Sequence, residues 1–258
     1  MNRLQKLFKE KKQNILSIYY TAGYPELDST LKIAQKLEEA GADFLEIGFP
    51  YSDPVADGSV IQRSSQTALE SGMSVKVLFE QLKDLRKQVN IPILLMGYVN
   101  PMIQYGVKEF CQKAKEVGVD GVIVPDLPMY EYEDLYKQDF LDNGISNIFI
   151  VTPQTSEERI RKIDELSNGF IYLLSSSSTT GSALNISDDI TAYYERVKAM
   201  NLKNPLIIGF GISDNNSFMR ANKYANGAIV GSAFVKSLGE SGSDYLANIN
   251  SFIKNIKG

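Results

Sequence analysis

The sequence predicts a single (β/α)8 barrel, one domain over residues 1–258, with an additional helix at the N-terminus. Eight short apolar or β-branched runs recur along the chain, at 15–20, 43–48, 93–98, 121–125, 147–151, 170–174, 206–210 and 228–231. Most of them lack polar alternation, as strands covered on both faces should. Helical stripes lie between the runs, no Pro/Gly/Ser-rich linker divides the chain, and 258 residues suit one such barrel.

Taken in order, Leu4, Leu7 and Phe8 are spaced i, i+3, i+4 and predict a short amphipathic helix lying on the domain. The stretch 1–14 has no apolar core and is not read as a signal peptide; with no run near the roughly 20 apolar residues of a spanning helix, a cytoplasmic location is expected. Leu31, Ala34 and Leu37 form one stripe ahead of the second run, and Leu78, Leu82, Leu85 and Val89 another ahead of the third. Val107, Phe110, Cys111, Ala114 and Val117 repeat the pattern, and weaker helical segments are expected at 157–166, 190–200 and 243–256. Three helix-to-strand junctions, Ala40-Gly41-Ala42-Asp43, Val117-Gly118-Val119-Asp120 and Ala225-Asn226-Gly227-Ala228, place Gly or Asn where a left-handed residue closes a helix. The longest gap between runs, from Gly48 to Ile93, holds the loop 50–58, too long for a mere connector.

Composition removes several chemistries. The 27 Lys and Arg against 31 Asp and Glu leave a net charge of −4 with no basic block, which argues against nucleic acid or an anionic membrane as partner. With no His, Ser-His-Asp catalysis and His-ligated metal are excluded, and no metal is expected; the lone Cys111 can form neither an internal disulfide nor a CxxC site. Carboxylates, hydroxyls, Lys, Tyr or backbone groups must carry any chemistry.

Barrel enzymes place their active sites at the C-terminal strand ends. Glu46 interrupts the second run, and period two puts it on one face with Phe44 and Gly48. A carboxyl among apolar neighbours has a raised pKa and suits proton transfer near neutrality; the alternative is a salt-bridged structural Glu. Asp57 follows 11 residues later, and Asp53 is nearby, both in turn-forming company. Asp126 ends the fourth run and reads best as a residue that orients a loop. Tyr172 either directs its hydroxyl into the pocket or serves the core. Gly209-Phe210-Gly211-Ile212-Ser213 and Gly231-Ser232-Ala233 end runs seven and eight, where barrels commonly build a phosphate site. The Ser/Thr-rich 175–182 is a candidate lid.

Together these segments resemble the tryptophan synthase alpha chain family over nearly the whole chain. The stretch from Leu45 to Gly58, Leu-Glu-Ile-Gly-Phe-Pro-Tyr-Ser-Asp-Pro-Val-Ala-Asp-Gly, looks like the family signature. Thr21-Ala22-Gly23-Tyr24-Pro25, Tyr98-Val99-Asn100-Pro101, Pro125-Asp126-Leu127-Pro128, Thr179-Thr180-Gly181 and the two glycine loops support it. The resemblance implies cleavage of indole-3-glycerol phosphate to indole and glyceraldehyde 3-phosphate, with Glu46 as acid–base catalyst and Asp57 holding the indole N–H. It implies an indole pocket from Tyr19, Met96, Tyr98, Ile123 and Ile150, an active-site tyrosine at Tyr172, a substrate-binding Thr180, and a phosphate site from Gly181, Gly211, Gly231 and Ser232. It also implies a β subunit in an α2β2 heterotetramer, with pyridoxal phosphate in that partner and no cofactor in this chain; Asp53, Pro54 and 175–182 would face the partner. Three positions depart from the family pattern: Tyr19 where a Phe is expected, Ser59 where Pro is common, and Ser176-Ser177-Ser178 in place of Arg-Ser-Gly.

Overall fold

The computed structural model describes residues 1–174 and 188–258. Eight parallel strands close into a barrel in chain order: β1 (Ile15–Thr21), β2 (Phe44–Gly48), β3 (Ile93–Met96), β4 (Gly121–Ile123), β5 (Ser146–Val151), β6 (Ile171–Leu174), β7 (Leu206–Gly209) and β8 (Gly227–Val230). β8 pairs back onto β1, with Ile15 opposite Gly227. Each predicted run contains a strand, but four strands stop short, β8 by one residue at Val230. β3 ends at Met96 because Tyr98 is already the extended residue ahead of the helix Val99–Tyr105. β4 ends at Ile123, ahead of Pro125, which has no N–H to give a ladder. β7 ends at Gly209 because Phe210 turns the backbone to φ 71°.

Period two sorts the core into two shells. Ile15, Phe44, Leu94, Ile123, Ile148, Tyr172, Ile207 and Ile229 fill the barrel interior. Leu16, Ile18, Leu45, Ile47 and Leu95 face outward and pack under helices such as Thr30–Glu39 and Val107–Val117. The Leu31/Ala34/Leu37 and Phe110/Cys111/Ala114/Val117 stripes therefore supply the second shell, and the helix Glu157–Leu166 forms over the predicted residues.

The N-terminal helix Arg3–Glu10 closes the mouth at the N-terminal strand ends. It starts with a capping box between Asn2 and Gln5 and buries Leu4 and Phe8. Phe8 packs 6.2 Å from Phe44 and 5.7 Å from Phe170 between ring centres. Buried Asp120 ties this end together, accepting from the Arg86 guanidinium at 2.7 Å, the Arg3 N–H at 3.1 Å and the Ile93 N–H at 3.0 Å.

Two of the predicted junctions close as expected, with Gly41 at φ 95° and Gly118 at φ 85°. The third does not. The helix Asn215–Ala221 ends at Asn222, and neither Asn226 nor Gly227 is left-handed. Asn226 instead bridges by its side chain, accepting from Leu206 N–H and donating to the Lys12 carbonyl. Gly227 is there because a Cβ would strike the Ile15 carbonyl on β1. Among the described residues no helix is long and apolar enough to cross a membrane.

Candidate active site

Two adjoining cavities of about 250 Å³ each open at the C-terminal strand ends and share Tyr19, Asp57, Met96, Tyr172 and Phe210. One runs towards β7 and β8 and is lined by Gly211, Ser213, Gly231, Ser232 and Lys236. The other runs under the loop after β2 and is lined by Phe49, Tyr51, Tyr98, Ile150 and Thr152.

Glu46 lies inside the barrel, opposite Tyr19 on β1 and Leu94 on β3, with no exposed surface. The Ser17 hydroxyl donates to Oε1 at 3.5 Å, while Oε2 is buried without a hydrogen-bond partner. An ionised carboxylate there would lose its water and recover one long bond. Burial accordingly pushes the Glu46 carboxyl up to about 8, with the Ser17 hydrogen bond opposing. Glu46 has no salt-bridge partner among the described residues. Glu46 itself lines neither cavity; its register partner Tyr19 and also Tyr172 line both.

Asp57 is half-buried and lines both cavities. Tyr98 donates its hydroxyl to Asp57 Oδ2 at 3.2 Å and accepts the Ala56 N–H at 3.0 Å, so the loop after β2 is pinned to the residue just beyond β3. Burial raises the Asp57 carboxyl to about 6, against the lowering effect of the Tyr98 bond. Burial likewise holds the Tyr19 and Tyr172 hydroxyls protonated; the next influence is Asp57 for Tyr19 and Glu46 for Tyr172. Glycines make room for both rings. A Cβ on Gly48 would meet the Tyr19 hydroxyl, and one on Gly209 the Tyr172 hydroxyl.

The two glycine loops form a cradle of backbone donors. Phe210 and Gly211 are both left-handed, at φ 71°, an uncommon conformation for Phe that bends the chain sharply off β7. The helix Ser232–Glu240 starts directly after β8, and its first internal bonds run from Phe234 and Val235 to the Gly231 carbonyl. The N–H groups of Ser232 and Ala233 precede those bonds and are available to an anion. Among the described residues no group of three or more His, Cys, Asp or Glu is placed to hold a metal ion.

Of the expected pocket residues, Tyr19, Met96, Tyr98, Ile150, Tyr172, Gly211, Gly231 and Ser232 line the cavities. Ile123 lines neither; it is wholly buried in the barrel interior. Thr180 and Gly181, with the candidate lid 175–182, lie outside the described residues. Asp126 is exposed and accepts the Val99 N–H at 2.9 Å, the loop-orienting part read for it. Asp53 is exposed; its carboxylate accepts the Ser52 hydroxyl at 2.5 Å and its carbonyl the Val55 N–H at 2.9 Å. The sequence reading missed Phe210, Tyr51 and Lys236. The spacing of Lys236 from Ser232, one helical turn, was the signal available for the last.

Fold and site define a (β/α)8-barrel enzyme with a buried carboxyl on β2, Glu46, and a half-buried one, Asp57, lining the cavity that the β7 and β8 glycine loops share. Residues 4–257 match the family described as tryptophan synthase alpha chain. A tryptophan synthase alpha chain of Christiangramia forsetii is 53% identical over 258 residues, covering 100% of this chain and 99% of that one. Among solved structures, tryptophan synthase subunit alpha from Legionella pneumophila superposes with a TM-score of 0.89 at 35% identity, over 100% of this chain and 97% of that one. A chain of the tryptophan synthase complex from Pyrococcus furiosus gives 0.87 at 35% identity, over 95% and 98%. The chain belongs to the tryptophan synthase alpha chain family.

Proposed function

We propose that Glu46 and Asp57 are the catalytic carboxyls of this chain, and that the glycine loops after β7 and β8 hold the substrate's phosphate. As a family member the chain is a lyase with the alpha-subunit role in tryptophan biosynthesis, cleavage of indole-3-glycerol phosphate to indole and glyceraldehyde 3-phosphate. The observation that carries the residue assignment is the buried Glu46 carboxyl, its Oε2 without a partner, opposite Tyr19, which lines the cavity that joins Asp57 to Gly211, Gly231 and Ser232.

The proposed mechanism uses Glu46 twice, as acid and then as base, and Asp57 once. Protonated Glu46 gives its proton to indole C3, and the ring nitrogen takes up the positive charge, stabilised by Asp57 as carboxylate. The bond from C3 to the glycerol chain then breaks, its electron pair returning to the ring, while Glu46 takes the proton of the glycerol hydroxyl as the aldehyde forms. The ring is its own electron sink, so neither a lysine imine nor a metal is called for. Since Glu46 lines neither cavity and accepts the Ser17 hydroxyl, the step includes a rotation of its side chain from Ser17 towards the substrate. Tyr19, Met96, Tyr98, Ile150 and Tyr172 would enclose the indole, with Thr180 and Gly181 contributing from outside the described residues; Ile123 would back this wall from within the core.

A β subunit is the partner, and pyridoxal phosphate belongs to it; an α2β2 assembly in the cytoplasm is the reading we favour. Exposed Asp53 and Val55, on the loop that carries Asp57, support contact at this end of the barrel. Incubating the pure chain with indole-3-glycerol phosphate and assaying indole tests the reading. No indole, with or without a β subunit, would reject it. Glu46→Gln separates enzyme from mere activator, because an activator would still raise the partner's serine-dependent rate and lose nothing else.

A further inference from the structure

We propose that Lys236 is the cationic partner of the substrate's phosphate, a binding residue that the backbone cradle needs and whose ion pair with Glu240 is weak enough to exchange. The inference rests on the reading of the β7/β8 cavity as the phosphate end of the substrate site.

A phosphate monoester brings about −1.5 to −2 charges near neutrality. It enters a protein of net charge −4, into a cavity that already holds Asp57. Backbone N–H groups and the Ser232 hydroxyl supply dipoles but no full charge. Among the described residues that line either cavity, Lys236 is the one Lys or Arg.

Helix geometry places it well. Lys236 follows Ser232 by four residues in the helix Ser232–Glu240, so the two share a face. Helical side chains lean towards the N-terminus, which carries the lysine stem back over the turn that opens at Gly231. Its present ion pair is weak by construction. Nζ lies 3.6 Å from Glu240 Oε1, both side chains are about two-thirds exposed, and Lys precedes Glu in the less favourable i, i+4 order. Leaving Glu240 for a phosphate therefore sacrifices little.

The test uses the full chain carrying Lys236→Met, Lys236→Arg or Glu240→Gln, with indole-3-glycerol phosphate as substrate and glycerol 3-phosphate and indole as competing ligands. Lys236→Met is expected to raise KM and the glycerol 3-phosphate inhibition constant together by about three- to tenfold. The loss in kcat/KM falls on KM, indole inhibits as before, and Lys236→Arg restores binding. Glu240→Gln tightens glycerol 3-phosphate. The gap between Lys236→Met and the parent closes as salt approaches about 1 M, where charges are screened within about 3 Å. An unchanged KM, or a matching loss of indole inhibition, overturns the proposal while indole release by the parent chain leaves the reading of the site intact. A parent that binds glycerol 3-phosphate through Lys236 yet releases no indole would uphold the phosphate contact and sink the reaction.

Discussion

Replacing Glu46 with Gln should remove activity and at the same time make the folded chain more stable towards alkaline pH. Burial moves this carboxyl from its ordinary 4.5 to about 8. Between those values the unfolded chain has released a proton that the native chain still holds. Fewer protons are then bound in the unfolded state, so stability falls as pH rises through this window and levels off above about 8. At about 1.4 kcal/mol for each tenfold change in proton activity, raising the pH from about 5 to 8 withdraws about 3 kcal/mol from the parent protein. Gln carries no such charge and escapes the loss. Asp57, raised to about 6, acts in the same direction but is present in both proteins and cancels in the comparison. Urea denaturation at intervals across that range measures the difference, which corresponds to roughly 6–12 °C in Tm for a chain of this size. Stability curves that run parallel for the two proteins would show that Glu46 ionises freely in the native state, and the buried-acid reasoning would be wrong.

Because the mechanism starts with Glu46 protonated and Asp57 ionised, kcat/KM for indole release should be bell-shaped, falling below about 6 and above about 8; Asp57→Asn should flatten the acid limb along with lowering the rate. Gly48→Ala puts a Cβ against the Tyr19 hydroxyl and should lower kcat/KM by about tenfold or more, and adding Tyr19→Phe should recover part of it in the same indole assay. Arg86→Met leaves Asp120 buried with Arg3 as its only ion-pair partner, so urea unfolding should show a loss of about 2–3 kcal/mol while KM stays as it was.

The sequence by itself determined the architecture and the position of the acid. Eight apolar runs separated by 3.6-period stripes admit few folds once no linker divides them, and period two at Phe44, Glu46 and Gly48 sends Glu46 to the barrel interior wherever the strand sits. The 45–58 signature and the glycine loops after β7 and β8 were equally legible, because short motifs keep their chemistry in consecutive residues. Tertiary structure alone decided which of these meet. Tyr98 steadies Asp57 across 41 residues of chain, and whether an expected pocket residue reaches the cavity wall depends on strand stagger, which left Ile123 in the core and Ile150 on the surface of the site. The third helix-to-strand junction shows the same limit. Asn-Gly reads locally as a left-handed stop, but the glycine at 227 answers to the Ile15 carbonyl on a strand more than two hundred residues away. Periodicity records which face a residue takes; only the closed barrel sets the distance between faces, and charge burial, and with it the acidity of Glu46, follows from that distance.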